Sequence, residues 1–344
     1  MASTLRSNVI IPEIYTPYLS LATNLRSRLI QSGAMVAMPE LDATEGGDFI
    51  NVPNWTADLS GDAEALTDST SMTPSNISAE KQVGVVIHRG KLWASRELAK
   101  LASGDDPMVA IGSKMADWLN NQIEKEVFTG LDGFFGPLTS NSTGALKALT
   151  IDSQSGTPTA LGPKQVVKAR ALLGDLGSKL TYLCVHSAVF YDLVERKMID
   201  YVTADDSVAF AAGNGSTDAV GGTIKPIFEA GVTQVPMYGD LMVIVSDNVP
   251  TTGGNYGAYF LTPGAIGTGS QQGIQTETDR DIAALEDAMN VHWHAVYHPM
   301  GAKFSTSVPS PTRAEFGTVA NWTTAWGTTK SYGMVRATVL SNFD

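Results

Sequence analysis

Cysteine is almost absent from this sequence of 344 residues, which contains only Cys184. A single cysteine excludes a disulfide within the chain, so packing and association with other chains must stabilise the fold. Cys184 stands in the apolar segment TYLCVHS, and we expect it to be a small buried side chain.

Long apolar runs are missing as well. No segment approaches the roughly 18 consecutive apolar residues that a membrane-spanning helix needs. The first residues, MASTLRSNVIIPEIYTPYL, contain no long apolar stretch of the kind found in secretory signals. We therefore expect no membrane partner, and a protein that works in the cytoplasm or in something assembled there.

Positive charge is scarce relative to negative charge. The chain has 23 Lys and Arg residues against 35 Asp and Glu residues, which gives a formal net charge of −12. DNA phosphates repel such a chain, so sequence-specific binding of nucleic acid is not expected. Charged residues make up only 17% of the sequence, which leaves many neutral surface positions available for contacts with other subunits.

Motifs of catalytic and nucleotide-binding sites are also absent. No CxxC, HExxH, GxSxG, EF-hand or phosphate-loop pattern occurs. His186, Ser187 and Asp192 supply the residue types of a catalytic triad, but adjacent strand residues point to opposite faces. Ser187 is better placed as the N-cap of the helix that follows it. We therefore predict no catalytic residue, no cofactor-binding residue and no enzyme activity.

A group of histidines offers one candidate metal site. His292, His294 and His298 stand in NVHWHAVYH, and on a strand they share one face. Two histidines spaced i, i+2 can ligate one metal ion. The alternative is that Val291, Trp293, Ala295 and Tyr297 form the buried face and the histidines form the outer one. No carboxylate or cysteine stands at a helpful spacing, which favours this alternative.

One long amphipathic helix is predicted at residues 107–129. Pro107 suits its first position, and Gly130 and Gly133 are predicted to end it. Its apolar stripe consists of Met108, Ile111, Met115, Leu119, Ile123 and Val127. Glu124, Lys125 and Glu126 are predicted to face solvent or a neighbouring chain.

A wide β-hairpin is predicted before this helix, with strands in DFINVPNW and KQVGVVIHRG. Between them, residues 56–80 contain five acidic residues and no Lys or Arg, whereas residues 81–100 contain five basic residues and one acidic residue. A connection this long and polar cannot form its own core. We expect it to lie on a neighbouring copy, where the acidic connection and the basic stem would pair.

The remainder predicts a mixed α/β region followed by long strands. A helix in PKQVVKARALLGDLG should direct Val166, Val167, Ala169, Leu172 and Leu173 inward, and a buried strand LTYLCVH and a helix SAVFYDLVERK should follow. Residues 203–223 are interpreted as a flexible loop rich in Gly, Ala and Ser. The acidic segment IQTETDRD is interpreted as a linker before a strand over the histidines, and MVRATVL as the final strand.

The order of these parts resembles that of HK97-fold major capsid proteins of tailed double-stranded DNA bacteriophages, over nearly the whole chain. GGDFINVPNW and KQVGVVIHRGKLW look like the E-loop hairpin, and DPMVAIGSKMADWLNNQIEKEVFTGL looks like the spine helix. LTYLCVHSAVFYDLVER looks like the strand–helix unit of the axial domain. VYHPMGAKFS and NWTTAWGTTKSYGMVRATVL look like strands of the peripheral domain.

The resemblance implies an α+β, HK97-like capsid fold with four parts. These are an N-terminal arm (1–45), an E-loop hairpin (46–98), a peripheral (P) domain with the spine helix (99–162 and 288–344), and an axial (A) domain (163–287). The implied function is a structural major capsid protein that self-assembles into hexamers and pentamers of an icosahedral head around the double-stranded DNA genome. The expected location is the virion, after assembly in the host cytoplasm.

The resemblance also implies partners and contact residues. Portal and scaffolding proteins are expected partners, and a cement or decoration protein is a further candidate. Because the arm begins at Met1, we expect the scaffold to be a separate protein. The residues expected at subunit interfaces lie in the basic arm and the hairpin: Arg6, Arg26, Arg28, Asp58, Asp62, Glu64, Asp68, Lys81, Arg89 and Lys91.

Three alternative functions remain open on the sequence. One is a phage tail or decoration protein, which has less need of a long helix beside a wide hairpin. An encapsulin-like compartment shell shares the fold but encloses a protein cargo. A metal-dependent soluble enzyme would instead use the histidines of residues 292–298.

Overall fold

The computed structural model describes residues 28–43, 46–55, 63–64, 79–98, 101, 107–138, 143–152, 159–203, 234–326 and 332–341. The helices are α1 (Arg28–Gln31), α2 (Pro107–Phe135), α3 (Pro163–Leu173), α4 (Ser187–Glu195) and α5 (Arg313–Phe316). The strands before α3 are β1 (Met35–Ala37), β2 (Phe49–Trp55), β3 (Ala79–Val85), β4 (Ile87–Arg96) and β5 (Thr150–Asp152). Those after it are β6 (Tyr182–Val185), β7 (Asp200–Thr203), β8 (Gln234–Tyr238), β9 (Leu241–Val245), β10 (Thr251–Thr252), β11 (Asn255–Leu261), β12 (Ile266–Asp281), β13 (Glu286–Pro299), β14 (Ala302–Phe304), β15 (Trp322–Thr324) and β16 (Met334–Leu340).

A central mixed sheet has the strand order β5-β16-β11-β6-β9-β8-β7, with β10 paired to β11. Its inner strands are almost wholly apolar and buried, as in the segment YLCV of β6. Leu183, Cys184 and Tyr259 have no exposed surface, and helices α2, α3 and α4 contribute to the same core. The expected burial of Cys184 is confirmed.

A second sheet has the order β1-β12-β13-β4 and packs one face against α2. Met115 and Leu119 of the helix lie against Val291 and Trp293 of β13. Trp118 makes edge-to-face contacts with Trp93 at 4.8 Å and with Trp293 at 5.9 Å between ring centroids. The predicted apolar stripe of the helix is confirmed.

The interpretation of IQTETDRD as a linker is wrong, because these residues form the outer half of β12. They pair with β13 from Thr276↔Val291 to Asp281↔Glu286. Thr276 is buried on the helix side while Glu277 is exposed on the other side. The side chains of this half that pack on the helix side are Ile274 and Thr276, so there is no apolar alternation from which its period could be recognised.

The predicted hairpin is confirmed in the pairing of β2 with β3, which runs from Phe49↔Val85 to Trp55↔Ala79. The segment KQVGVVIHRG is nevertheless divided between two sheets. After Val86 the chain leaves the sheet β15-β14-β3-β2 and continues as β4 in the sheet of β12 and β13. Val85, Val86 and Ile87 are all buried, so the side chains do not alternate between a buried and an exposed face at this crossing.

Helix α2 continues six residues beyond the predicted end at residue 129 and ends at Phe135. Gly130 and Gly133 do not end the helix but lie within it. The absence of a side chain at these two positions allows other elements to approach the helix closely. A Cβ at Gly130 would lie 2.6 Å from the Phe316 ring, and one at Gly133 would lie 2.6 Å from Nε1 of Trp322. The helix ends where Gly136 adopts φ of 89°.

Arg336 connects the central sheet to this helix end. The side chain is fully buried on β16, lies 3.2 Å from the Asp132 carboxylate, and donates to the carbonyl oxygens of Gly136 and Pro137. A cation at the carboxyl end of a helix neutralises the unpaired carbonyls there. The final strand is confirmed, but it pairs with β11 and β5 in the central sheet.

Two predictions about the α/β region are wrong. Val167 and Leu172 of α3 are exposed, while Gln165, Ala169 and Leu173 face the core. The N-cap of α4 is His186, whose side chain accepts a hydrogen bond from the Ala188 amide, and Ser187 is the first helical residue. Residues 204–223 of the predicted Gly-rich loop lie outside the described residues. No helix within the described ranges is long and apolar enough to cross a membrane.

Candidate functional site

A buried carboxylate lies where the stem of the hairpin meets helix α2. Glu126 has no exposed surface and receives hydrogen bonds from two arginines of distant segments. Arg89 Nε lies 2.8 Å from Glu126 Oε1, and Arg313 contributes Nε at 2.9 Å and a terminal nitrogen at 2.8 Å. The prediction that Glu126 faces solvent or a neighbour is therefore wrong.

The two arginines extend this network to further groups. Arg89 also donates to the carbonyl oxygen of Pro311 at 3.0 Å, and Arg313 donates to Gln122 Oε1 at 2.8 Å. Arg313 begins α5, whose N-cap Thr312 forms a reciprocal capping box with Glu315. Strand β4, helix α2 and helix α5 are thus joined by one charge-assisted network.

The residues predicted at subunit interfaces occupy different surroundings. Lys81 on β3 and Lys91 on β4 are exposed, as is Glu64. Arg89 is bound within the subunit by Glu126, and its contact with a neighbour stays a prediction. Arg28 is the first residue of α1, and the others lie outside the described residues: Arg6, Arg26, Asp58, Asp62 and Asp68.

The three candidate metal ligands share the predicted face of β13, but they do not form one group. His298 is buried, and its Nε2 lies 3.2 Å from Gln82 Oε1, which also accepts from the Gly301 amide. Burial lowers the pKa of His298 from its ordinary value to about 4. Among the residues that the structure describes, no group of three or more His, Cys, Asp or Glu side chains is arranged to hold a metal.

His294 contacts a histidine that the sequence reasoning missed. Its ring lies 4.2 Å from that of His88 on β4, and Gln271 Oε1 is 3.2 Å from a ring nitrogen of each. Burial, followed by the charges of His88 and His292, lowers the pKa of His294. Only the strand register, His294↔His88, identifies this neighbour, because the two residues are far apart in sequence.

The residues that resemble a triad are not arranged as one. Ser187 Oγ lies 3.5 Å from His186 Nδ1, which already accepts the Ala188 amide as part of the helix cap. Asp192 is buried and pairs with Arg196, the residue that follows the last residue of the same helix. Because the Asp192 carboxylate forms an ion pair with Arg196, it does not orient His186.

Comparisons with known proteins agree with this architecture. A family model described as "Phage capsid protein" matches residues 82–306. The major capsid protein of Bacillus phage SPP1 is 32% identical over 335 residues, which is 94% of each chain. The capsid of Ralstonia phage GP4 aligns with a TM-score of 0.55 at 10% identity, over 90% of this chain and 87% of that one. The Cyanophage Pam1 capsid asymmetric unit aligns with a TM-score of 0.55 at 13% identity, over 100% and 96%.

The chain belongs to the phage capsid protein family. The expected α+β, HK97-like capsid fold and the function of a phage major capsid protein are confirmed. The protein is accordingly a structural component of the virion that acts in multiple copies.

Proposed function

We propose that this chain is the subunit that forms hexamers and pentamers of an icosahedral head enclosing a double-stranded DNA genome. The observation that carries the proposal is the 32% identity, over 94% of each chain, to the major capsid protein of Bacillus phage SPP1. Repeated weak contacts in a closed symmetric assembly add up to a stable shell. The subunit has no enzymatic role in this proposal.

The parts of the subunit are assigned as the resemblance implies, with two adjustments. The arm is residues 1–45, and the E-loop hairpin, residues 46–98, lies on a neighbouring copy. The predicted boundary between residues 287 and 288 would cut the β12–β13 hairpin, so we assign both strands to the peripheral domain with α2. We assign β16 to the axial domain, because it pairs with β11.

The proposed contents and partners follow from charge and from the family. A subunit with a net charge of −12 encloses DNA without gripping it, so packaging and release are not opposed by tight binding to the wall. Assembly takes place in the host cytoplasm with portal and scaffolding proteins, and a cement or decoration protein is a further candidate partner.

Expression of the full chain, alone and with its genomic neighbours, tests this function by negative-stain electron microscopy and light scattering. Closed shells or hexamer rings are expected. Double-stranded DNA inside native particles supports the phage head, whereas an enzyme cargo would favour a compartment shell. A monomer or small oligomer under every condition, with bound metal, would overturn the proposal in favour of an enzyme.

A further inference from the structure

Helix α4 borders an open cavity of about 580 Å³, which we call the α4 cavity. Its apolar lining comes from Ala188, Tyr191 and Val194 of the helix and from Tyr256 of β11. Tyr191 is 59% exposed, although it is a large aromatic side chain beside other apolar groups. An apolar side chain placed in this cavity would remove the surface of Tyr191 from water, which is favourable.

The end of strand β16 leads to the wall of this cavity. Ser341, which directly follows the strand, donates its hydroxyl to the carbonyl oxygen of Ala188 at 3.0 Å. Val339 of the strand lies opposite Tyr256 in the β11–β16 ladder. The chain is therefore fixed to α4 at the point where it leaves the central sheet. Residues 342–344, with the sequence NFD, follow this point and lie outside the described residues.

Strand alternation indicates which of these residues faces the cavity. Residues directly opposite each other in an antiparallel pair have their side chains on the same face, so Val339 lies on the face of Tyr256. Ser341, two residues later, contacts α4 on this same face. A further step of two residues places Phe343 on the α4 side and Asn342 on the other side. In an extended chain Phe343 follows Ser341 by about 7 Å, which is within reach of the cavity.

The side chain of Phe343 suits the α4 cavity. It is the single apolar side chain of residues 342–344, and aromatic side chains bury roughly 150–250 Å² each. Docking would order only the residues that follow Ser341, because Ser341 is already held by its hydrogen bond. A ring tethered this close to the cavity has a high effective concentration there, which favours it over a free partner.

We propose that Phe343 docks in the α4 cavity of its own chain and packs against Tyr191 and Tyr256. Docking fastens the end of β16, the last strand of the central sheet, to helix α4, and it covers the exposed ring of Tyr191. The inference concerns the folded subunit, so it goes beyond the proposed function and does not depend on assembly.

Thermal unfolding of the dissociated full-length subunit tests the docking. We expect Phe343→Ser to lower the unfolding midpoint by about 3 °C, because the cavity loses its apolar occupant. Phe343→Leu should retain most of the midpoint, since leucine is also apolar. Asn342→Ser is the matched control, because alternation directs this neighbouring side chain away from the cavity, and its midpoint should equal that of the wild type.

A double-mutant cycle tests the contact with Tyr191. Tyr191→Ala should lower the midpoint in the wild-type background and change it little in Phe343→Ser, because the two side chains stabilise each other. Tyr201→Ala is the control, at a position on β7 that is 48% exposed. Its effect should be the same in both backgrounds, since residues without shared contacts behave additively.

A cysteine pair distinguishes docking within one chain from docking on a neighbour. Cys184 has no exposed surface and burial raises its thiol pKa, so introduced cysteines react without interference. Oxidation of dilute Tyr191→Cys/Phe343→Cys should close a disulfide within one chain, which changes its mobility on a non-reducing gel. Tyr201→Cys/Phe343→Cys should form no such link.

Several results would overturn the docking. One is an unchanged midpoint for Phe343→Ser, and another is additivity of Tyr191→Ala with Phe343→Ser. Disulfide-linked dimers, in place of the link within one chain, would assign Phe343 to the cavity of a neighbouring copy. Full-length chains that never form shells would contradict the proposed function, whereas the midpoints and the cysteine pair of the dissociated subunit decide the docking alone.

Discussion

Glu126 shows how one buried side chain determines the contacts of three elements. Its carboxylate has no access to solvent, and Arg89 and Arg313 approach it from β4 and α5. Unpaired burial of a charge is costly, so the three side chains depend on one another. The sequence analysis placed Glu126 outward because its neighbours Glu124 and Lys125 are charged. The charged segment EKE does not show whether an acidic residue is paired inside the subunit or exposed to solvent.

We predict that Glu126→Gln lowers the free energy of unfolding substantially. Removing one partner of a fully buried pair costs about 3–5 kcal/mol. Arg313 is 40% exposed, so water compensates part of the loss and we expect about 2 kcal/mol. Urea unfolding of the dissociated subunit measures the change. Glu277→Gln, at an exposed position, is the control and should change stability by less than about 0.5 kcal/mol; an equal effect of both variants would contradict this role.

We predict that His298 makes the subunit less stable below neutral pH. Its pKa is about 4 in the folded chain and 6.5 in the unfolded chain. Between these values only the unfolded state takes up the proton, so the free energy of unfolding falls as pH decreases from 6.5 to 4. The full loss is about 3 kcal/mol by linkage. Urea unfolding at several pH values should show a smaller decrease for His298→Asn, whereas His292→Asn should retain the decrease that His298 causes. An unchanged pH dependence in His298→Asn would refute the prediction.

At the scale of elements, the close approach of α2 to the C-terminal segments depends on two glycines, Gly130 and Gly133. A Cβ atom at Gly133 would lie 2.6 Å from Nε1 of Trp322 and 2.9 Å from the carbonyl oxygen of Phe316. This carbonyl also accepts a hydrogen bond from Trp322 Nε1 at 2.7 Å. A larger residue at position 133 would therefore press on both partners of this buried hydrogen bond unless the helix moved away from the segment around Trp322.

We predict that Gly133→Ala destabilises the subunit, although alanine normally stabilises a helix by about 1 kcal/mol relative to glycine. The added methyl group would collide with backbone and ring atoms, and overpacking of this kind costs about 1–3 kcal/mol. Thermal unfolding should show a lower midpoint for Gly133→Ala. Gly273→Ala is the control, because nothing lies within 4 Å of its Cβ position. A midpoint at or above that of the wild type would contradict the predicted contact.

The elements that sequence reasoning recovered are those with a strong period of their own. The stripe of α2, the pairing of β2 with β3 and the apolar strand β6 follow directly from residue spacing. The outer half of strand β12 was missed because Ile274 and Thr276, its residues that pack on the helix side, give no apolar alternation. Helix α3 was oriented wrongly because it has apolar residues on both sides, and spacing alone does not tell which side meets the core.

At the scale of the whole molecule, the order of elements indicated the family although no single motif did. The candidate interface residues were chosen by charge and position, and Arg89 illustrates the limit of that choice. A basic residue on a strand has the same sequence signature whether it binds Glu126 in its own chain or a neighbour. Contacts between copies depend on the partner's surface, which the sequence of one chain does not display.

The β2–β3 hairpin provides the last prediction, because its strands and the connection between them have different roles. Replacing residues 58–78 by Asn-Gly leaves a four-residue connection, which consists of residues 56 and 57 and the two new residues. The β2–β3 ladder should stay intact, since pairing from Phe49↔Val85 to Trp55↔Ala79 lies outside the deleted segment. The central core and the Glu126 network are also untouched, so the variant should unfold at a temperature close to that of the wild type. It should fail to form particles, because the long polar connection has no core of its own and is expected to lie on a neighbour.

Electron microscopy and light scattering measure assembly of the shortened chain. An insertion of two residues at Gly253, in the turn between β10 and β11, is the control for a loop change elsewhere. Particles of normal size from the shortened chain would show that assembly does not depend on residues 58–78.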